Sequence, residues 1–167
     1  MPRNIELKAR LRDPATARLA AQAIATGAAG VEVQTDTYFH VPHGRLKLRE
    51  IAGRPAVLIA YRRPDDAAAK ASDYRLVPMD DAEALKLALA AALGIRAVVQ
   101  KRREIFLVDN VRIHLDEVAG LGSFLEFEAV LSPECDDAAG HAQLERLSRH
   151  FGLAPADLVE GSYGELT

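Results

Sequence analysis

In GRLKLRE, residues 44–50, Arg45, Lys47 and Arg49 alternate with Leu46 and Leu48. An extended chain sends successive side chains to opposite faces, so this spacing gathers the cations on one side of a strand and the leucines on the other. The same arithmetic recurs along the chain. Glu6, Lys8 and Arg10 share a face in NIELKARLR, Lys101 and Arg103 in VVQKRREI, Arg112, His114 and Asp116 in VRIHLD, and Glu126 with Glu128 in FLEFEAV. Arg62 and Arg75 extend the set from two shorter segments. A face meant only for water tends to mix Thr, Ser, Gln and Lys. This set is mostly Arg and carboxylates, the groups that hold phosphate and hard divalent cations.

Two arrangements satisfy the alternation. One is an open sheet with helices on its apolar face and solvent on its charged face, the ordinary outcome for any single strand. The other is a closed barrel whose apolar side faces outward under helices and whose charged side lines the interior. Like charges about 4 Å apart at an effective dielectric of about 20 repel by roughly 4 kcal/mol, so such an interior calls for a polyanion to neutralise its cations and for metal to neutralise its carboxylates.

The elements that must position these residues are legible from period and punctuation. Strand patterns run through NIELKARLR, VEVQTDTYFHV (31–41), RLKLRE, AVLIAYRRP, YRLVPM (74–79), RAVVQKRREIFLV, VRIHLDEV and SFLEFEAVL. Helix signals sit in DPATARLAAQAIATG, with Asp13 as N-cap and Pro14 in the first position, in MDDAEALKLALAAALGI, and in DDAAGHAQLERLSRHFG. PHG, DN and AGLG read as hairpin turns, DDAAAKASD (65–73) as a mobile acidic loop, and APADLVEGSYGELT as a short helix and tail. Eight strands in runs, with three principal helices, predict an antiparallel α+β fold over a single domain, residues 1–167.

Composition narrows the partners. A net charge of -3, 5% aromatics and no Trp argue against a nucleic-acid binder. The single cysteine, Cys135, supports neither a disulfide framework nor a thiolate zinc cluster, and it has no visible redox role. MPRNIELK has no apolar core to act as a secretory signal, and the apolar run ALKLALAAALGI is broken by Lys86 and too short to span a bilayer, so a cytoplasmic protein away from membranes is expected.

The segments IELKARL, QTDTYFHVPHGRLKLRE, LIAYRRPD, VVQKRREIF and IHLDEVAGLGSFLEFE together resemble the CYTH superfamily, the triphosphate tunnel metalloenzymes, most closely its class IV adenylyl cyclase-like branch. The likeness runs from about residue 4 to 131, with a weaker tail match at SYGEL. It implies a closed eight-stranded antiparallel tunnel that binds a triphosphate with Mg²⁺ or Mn²⁺. Carried over position by position, Glu6, Glu126 and Glu128 become metal ligands with Asp116 as a contributor. Lys8, Arg45, Lys47, Arg49, Arg62, Lys101, Arg103 and Arg112 become phosphate contacts. Glu6, Lys8, Lys101 and Arg103 form the implied catalytic core. Glu126 and Glu128 stand about 6.6 Å apart along a strand, near enough to converge on a metal pair. One departure stands out: the first glutamate of the family's Glu-x-Glu-x-Lys pattern is Asn4, a neutral carbonyl where a carboxylate is expected.

The expected activity is therefore adenylyl cyclase-like, ATP to cyclic AMP and pyrophosphate. Hydrolysis of inorganic or organic triphosphate, thiamine triphosphate included, is the alternative chemistry, and a polyphosphate-binding module without turnover is the alternative class. The substrate is a small molecule, and a homodimer is left open. His114 is expected as a hydrogen-bonded wall residue rather than a ligand, Arg102 and Glu104 as outward surface charges, and the glycines of AGLG as turn residues rather than a phosphate cradle.

Overall fold

Strands with one apolar and one charged face must commit one face to the inside, and here the charged face goes in. The computed structural model describes residues 2–167. Its strands are β1 (Arg3–Arg10), β2 (Gly27–Phe39), β3 (Arg45–Ile51), β4 (Ala56–Arg62), β5 (Lys70–Met79), β6 (Ile95–Val108), β7 (Val111–Val118) and β8 (Gly122–Val130). They close into a barrel in the order β1-β5-β4-β3-β2-β6-β7-β8, every neighbouring pair antiparallel. Closure leaves no strand edge to aggregate. The starts of β1, β2, β4 and β7 and the ends of β3, β5, β6 and β8 form one end of the barrel.

The helices α1 (Pro14–Ile24), α2 (Ala82–Leu93) and α3 (Asp137–His150) lie outside. Asp13, Asp81 and Asp136 each accept the first-turn amide three residues on, at 3.1, 3.0 and 2.9 Å, which accounts for where the helices start. The main core is the barrel's outer face: Ile5, Leu7, Ile113, Leu125 and Phe127 pack under Ala17 and Ala21 of α1 and Leu144 and Leu147 of α3. A smaller layer joins Phe39, Leu48 and Leu58 to Leu85, Leu89 and Leu93 of α2. Among the described residues no helix is long and apolar enough to cross a membrane.

α3 approaches β1 closely because it has glycine at the crossing. A Cβ on Gly140 would lie 2.8 Å from Ile5 Cγ1 and 2.9 Å from Leu131 Cδ2. Gly140→Val is expected to cost about 1–3 kcal/mol through overpacking. Urea unfolding measures it, and an unchanged midpoint would refute this contact.

Three segments differ from expectation. β2 begins at Gly27 rather than Val31, because Gly27 and Ala28 pair with Leu107 and Phe106 of β6 beyond a bulge at Ala29, next to Gly30, whose φ is +84°. Gly27–Gly30 has little strand propensity of its own, and the long partner recruits it. The second half of the expected acidic loop is strand: residues 70–73 belong to β5 and pair with β1, with Lys70 and Ser72 buried. Finally, the interior is not charged throughout. A terminal helix, α4 (Tyr163–Leu166), and the chain before it fill the barrel end opposite the one defined above, where Val159 and Tyr163 pack on Tyr38, Val99, Val118 and Phe124.

Candidate active site

Glu6, Lys8, Glu126 and Glu128 on β1 and β8, and Lys47, Arg49, Lys101 and Arg103 on β3 and β6, line one cavity of about 490 Å³. Cross-strand register explains the grouping, since residues directly opposite share a face. Glu6 lies opposite Glu128 and Lys8 opposite Glu126; Glu128 in turn faces Arg112, and Glu126 faces His114. Arg112 also borders the cavity.

The carboxylate side is compact. Ligand atoms of His114, Glu126 and Glu128 all lie within 4.8 Å of one another. His114 Nδ1 is 3.3 Å from Glu126 Oε1. Burial, then Arg103, pull the His114 imidazole down to about 4, so it is neutral at pH 7. Burial, then Glu126 and Glu6, push the Glu128 carboxyl up to about 8. A divalent cation would relieve that crowding, and the donor set of carboxylates with one neutral imidazole fits one. Asn4 strengthens the fit. It lies one inward step from Glu6, is buried, and its Oδ1, a hard neutral donor, has no hydrogen-bond partner.

The cation side is organised by a residue that the strand patterns did not single out. Asp36, on the inward face of β2, is fully buried among the cations, and Arg49 donates to it through two nitrogens, both at 2.8 Å. Lys101 Nζ sits 2.8 Å and Lys47 Nζ 3.1 Å from its Oδ2. Burial would push this carboxyl up, but Arg49, Lys101 and Lys47 hold it well below the usual range. Arg103 has a similar anchor, donating to both oxygens of Asp116 at 2.7 Å. The Tyr163 hydroxyl donates to the same carboxylate at 2.7 Å. Burial opposes ionisation of Asp116, and Arg103 outweighs it, leaving the carboxyl at about 2. The expected self-repulsion of the interior is thus largely met by buried acids that aim the cations inward.

Some expected residues lie elsewhere. Asp116 is engaged by Arg103 and Tyr163, and the group of converging ligand atoms contains His114 rather than Asp116. Arg62 points out to solvent, and Arg63 lines the cavity in its place, bonded to Glu6. The register shows why: Lys47 faces Ile59 and Arg45 faces Tyr61, so the inward face of β4 runs Val57, Ile59, Tyr61 and continues to Arg63. Arg75 is outward and exposed for the same reason, between inward Tyr74 and Leu76. Arg45 has the inward parity, but it stops at the covered end, where Glu165 Oε1 accepts from its Nη2 at 2.8 Å and Asp65 also pairs with it. Arg102 and Glu104 face outward, the latter bound by Arg18 at 2.6 Å. No sequence signal separates Arg63 from Arg62, because AVLIAY is apolar on both faces. For Asp36 the signal was the shared face with Gln34 and Tyr38. For Tyr163, in the tail, there was no local signal beyond the SYGEL likeness.

A closed eight-stranded antiparallel barrel with cations and carboxylates lining its bore is a charged-tunnel architecture. The chain belongs to the CYTH family, whose CYTH domain model matches residues 2–163. A Methanocaldococcus jannaschii protein provisionally named an adenylate cyclase is 25% identical over 134 residues, which span 78% of this chain and 75% of that one. The PH1012 protein from Pyrococcus horikoshii OT3 has the same fold at a TM-score of 0.86 and 25% identity, over 98% of both chains. A Hippeastrum protein provisionally named an adenylyl cyclase, and described as having a dominant triphosphatase activity, shares the fold at a TM-score of 0.63 and 16% identity, over 89% of this chain and 88% of that one.

Proposed function

We propose that this protein is a metal-dependent enzyme acting on a small molecule with a triphosphate tail. The observation that carries the reading is one cavity that holds both a set of cations, several of them preset by buried Asp36 and Asp116, and a carboxylate–histidine group around Glu126. Lys8, Lys47, Arg49, Arg63, Lys101 and Arg103 would hold the phosphate oxygens, with Arg112 at the far end of the bore. Arg45 would join them only by leaving Glu165. Glu126 and Glu128, with His114, Glu6 and the Asn4 carbonyl, would hold Mg²⁺ or Mn²⁺. The bound metal would draw charge from the reacting phosphoryl group; the side chains would align the chain and neutralise what develops on its oxygens.

The leading chemistry is cyclase-like. The ribose 3′-hydroxyl of ATP forms a bond to the α-phosphorus, and the bond from that phosphorus to pyrophosphate breaks. Hydrolysis at the terminal phosphorus by water is the second reading, favoured by the clustering of Lys47, Arg49 and Lys101 on one acid, which suits the most highly charged part of a phosphate chain. Incubation with ATP, inorganic triphosphate and thiamine triphosphate, with Mg²⁺ or Mn²⁺ and chromatography of the products, separates the two. Absence of product from all three overturns the enzyme reading.

Asn4 separates an enzyme from a binding module. If the wild type turns over triphosphates, Asn4→Glu is expected to tighten Mn²⁺ binding in calorimetry while changing the rate modestly. If the wild type only binds, the added carboxylate is expected to create or greatly raise metal-dependent turnover. Mn²⁺ affinity unchanged by Asn4→Glu would show that position 4 does not face the metal.

A further inference from the structure

Gln34 is a wall residue that phosphate and metal binding leave unused. It lines the cavity, is 2% exposed, and its Oε1 has no hydrogen-bond partner. Its other amide atom is committed: Nε2 donates to Glu32 Oε2 at 2.5 Å. Glu32 lies two residues back on the same face of β2, and Arg54 donates to its other oxygen at 2.6 Å. A glutamine amide ordinarily suits either donors or acceptors by turning over. Here, turning over would set Oε1 against the Glu32 carboxylate, acceptor against acceptor. Gln34 is therefore locked as an acceptor toward the cavity. Lys101 lies opposite in the β2–β6 ladder, but its ammonium turns to Asp36 at 2.8 Å and makes no bond to Gln34 Oε1.

A phosphate chain cannot satisfy this atom, because phosphate oxygens are themselves acceptors. One side of its surroundings is apolar. Ile51 is the β3 neighbour of Gln34, and Val57, Leu76, Ile105 and Leu107 line the same cavity toward the end away from Tyr163. An apolar face from Ile51, Val57, Ile105 and Leu107 beside this fixed acceptor matches a flat organic group that carries an N–H donor.

We infer that Gln34, oriented by Glu32, is a specificity contact for a ring-bound amine on the non-phosphate end of the substrate, with Ile51, Val57 and Ile105 covering the ring. The inference rests on the triphosphate reading above. It places the phosphate tail toward Lys101 and Arg103 and the head group toward Ile105 and Leu107, which leaves Arg112, opposite Leu107, beside the head group rather than on the phosphates. A head group with a carbonyl in place of the amine meets Oε1 acceptor to acceptor, and inorganic triphosphate leaves Oε1 unpaired.

The test compares dissociation constants of inorganic triphosphate, ATP and inosine triphosphate, in which a carbonyl replaces the ring amine. Calorimetry without divalent metal keeps turnover out of the measurement. ATP is expected to bind about tenfold tighter than inosine triphosphate, the size of one buried hydrogen bond made or lost. Gln34→Met is expected to erase that preference. Glu32→Gln, which frees the Gln34 amide to turn over, is expected to shrink it. Nucleoside triphosphates that bind equally or not at all while inorganic triphosphate binds, or a preference that survives Gln34→Met, overturn the inference, and the wild-type ratio decides even if a variant fails to fold. Failure of inorganic triphosphate itself to bind overturns the underlying triphosphate reading instead.

Discussion

Asp36→Ala is expected to lower the melting temperature by about 6–20 °C, because removing one partner of a buried ion pair costs about 3–5 kcal/mol and each kcal/mol moves a domain of this size by about 2–4 °C. The residue is fully buried and holds Arg49, Lys101 and Lys47 together. Without it, three cations face one another across the wall with no anion between them. Whole domains are stable by only about 5–15 kcal/mol, so the variant stands near the edge of folding. The same reasoning predicts a rescue. A polyanion binding only the folded state adds about 2.7 kcal/mol at a hundredfold excess over its Kd, so inorganic triphosphate should raise the variant's melting temperature well above the rise given by orthophosphate. Asp36→Asn, which keeps the shape and an acceptor, should lose less. A variant as stable as wild type, or one rescued equally by both anions, would show that Asp36 does not preset a wall for a phosphate chain.

Glu126→Ala is expected to reduce metal-dependent turnover by about 10³-fold or more, since a metal supplies several kcal/mol of transition-state stabilisation and each 1.36 kcal/mol is tenfold. Glu6→Ala should do the same. The competing role for Glu126 is charge balance: its carboxylate is 3.6 Å from Lys8 Nζ and 3.7 Å from Arg103 Nη2. The kinetics tell these apart. Loss of a metal ligand lowers kcat and raises the Mg²⁺ or Mn²⁺ concentration needed for half-maximal rate. Loss of a balancing charge instead leaves kcat near wild type and tightens the triphosphate, because Lys8 and Arg103 are freed to bind it. Turnover that survives both alanine changes would remove this group from the chemistry.

The sequence was most readable where one strand's own period decides the answer. Glu6 and Lys8, Lys47 and Arg49, Lys101 and Arg103, and Glu126 and Glu128 reach one cavity because each pair sits two residues apart on one strand, and on β1, β3 and β8 the other face is mostly apolar. The helix starts at Asp13, Asp81 and Asp136 were equally local, each a side chain bonding an amide three residues on. Legibility failed where a neighbour had to be known. On β4, Arg62 and Arg63 are adjacent and chemically equal, and only the pairing of Lys47 with Ile59 and Arg45 with Tyr61 selects Arg63. The run from Gly27 to Gly30 and the residues from Lys70 to Asp73 are strands because β6 and β1 pair with them.

By itself, then, the sequence determined the alternation of the strands, the helix starts and the kinds of charge available, because these depend on covalent geometry and contacts within a few residues. Only the tertiary structure decided how those charges are used. Asp116, a carboxylate like Glu126, is bound to Arg103 and Tyr163 and positions a cation, whereas Glu126 joins Glu128 and His114. Tyr163, 47 residues beyond Asp116, closes one end of the bore. An ionised side chain takes its role from the nearest opposite charge and from its burial, and both are set by strands and segments far away in the chain.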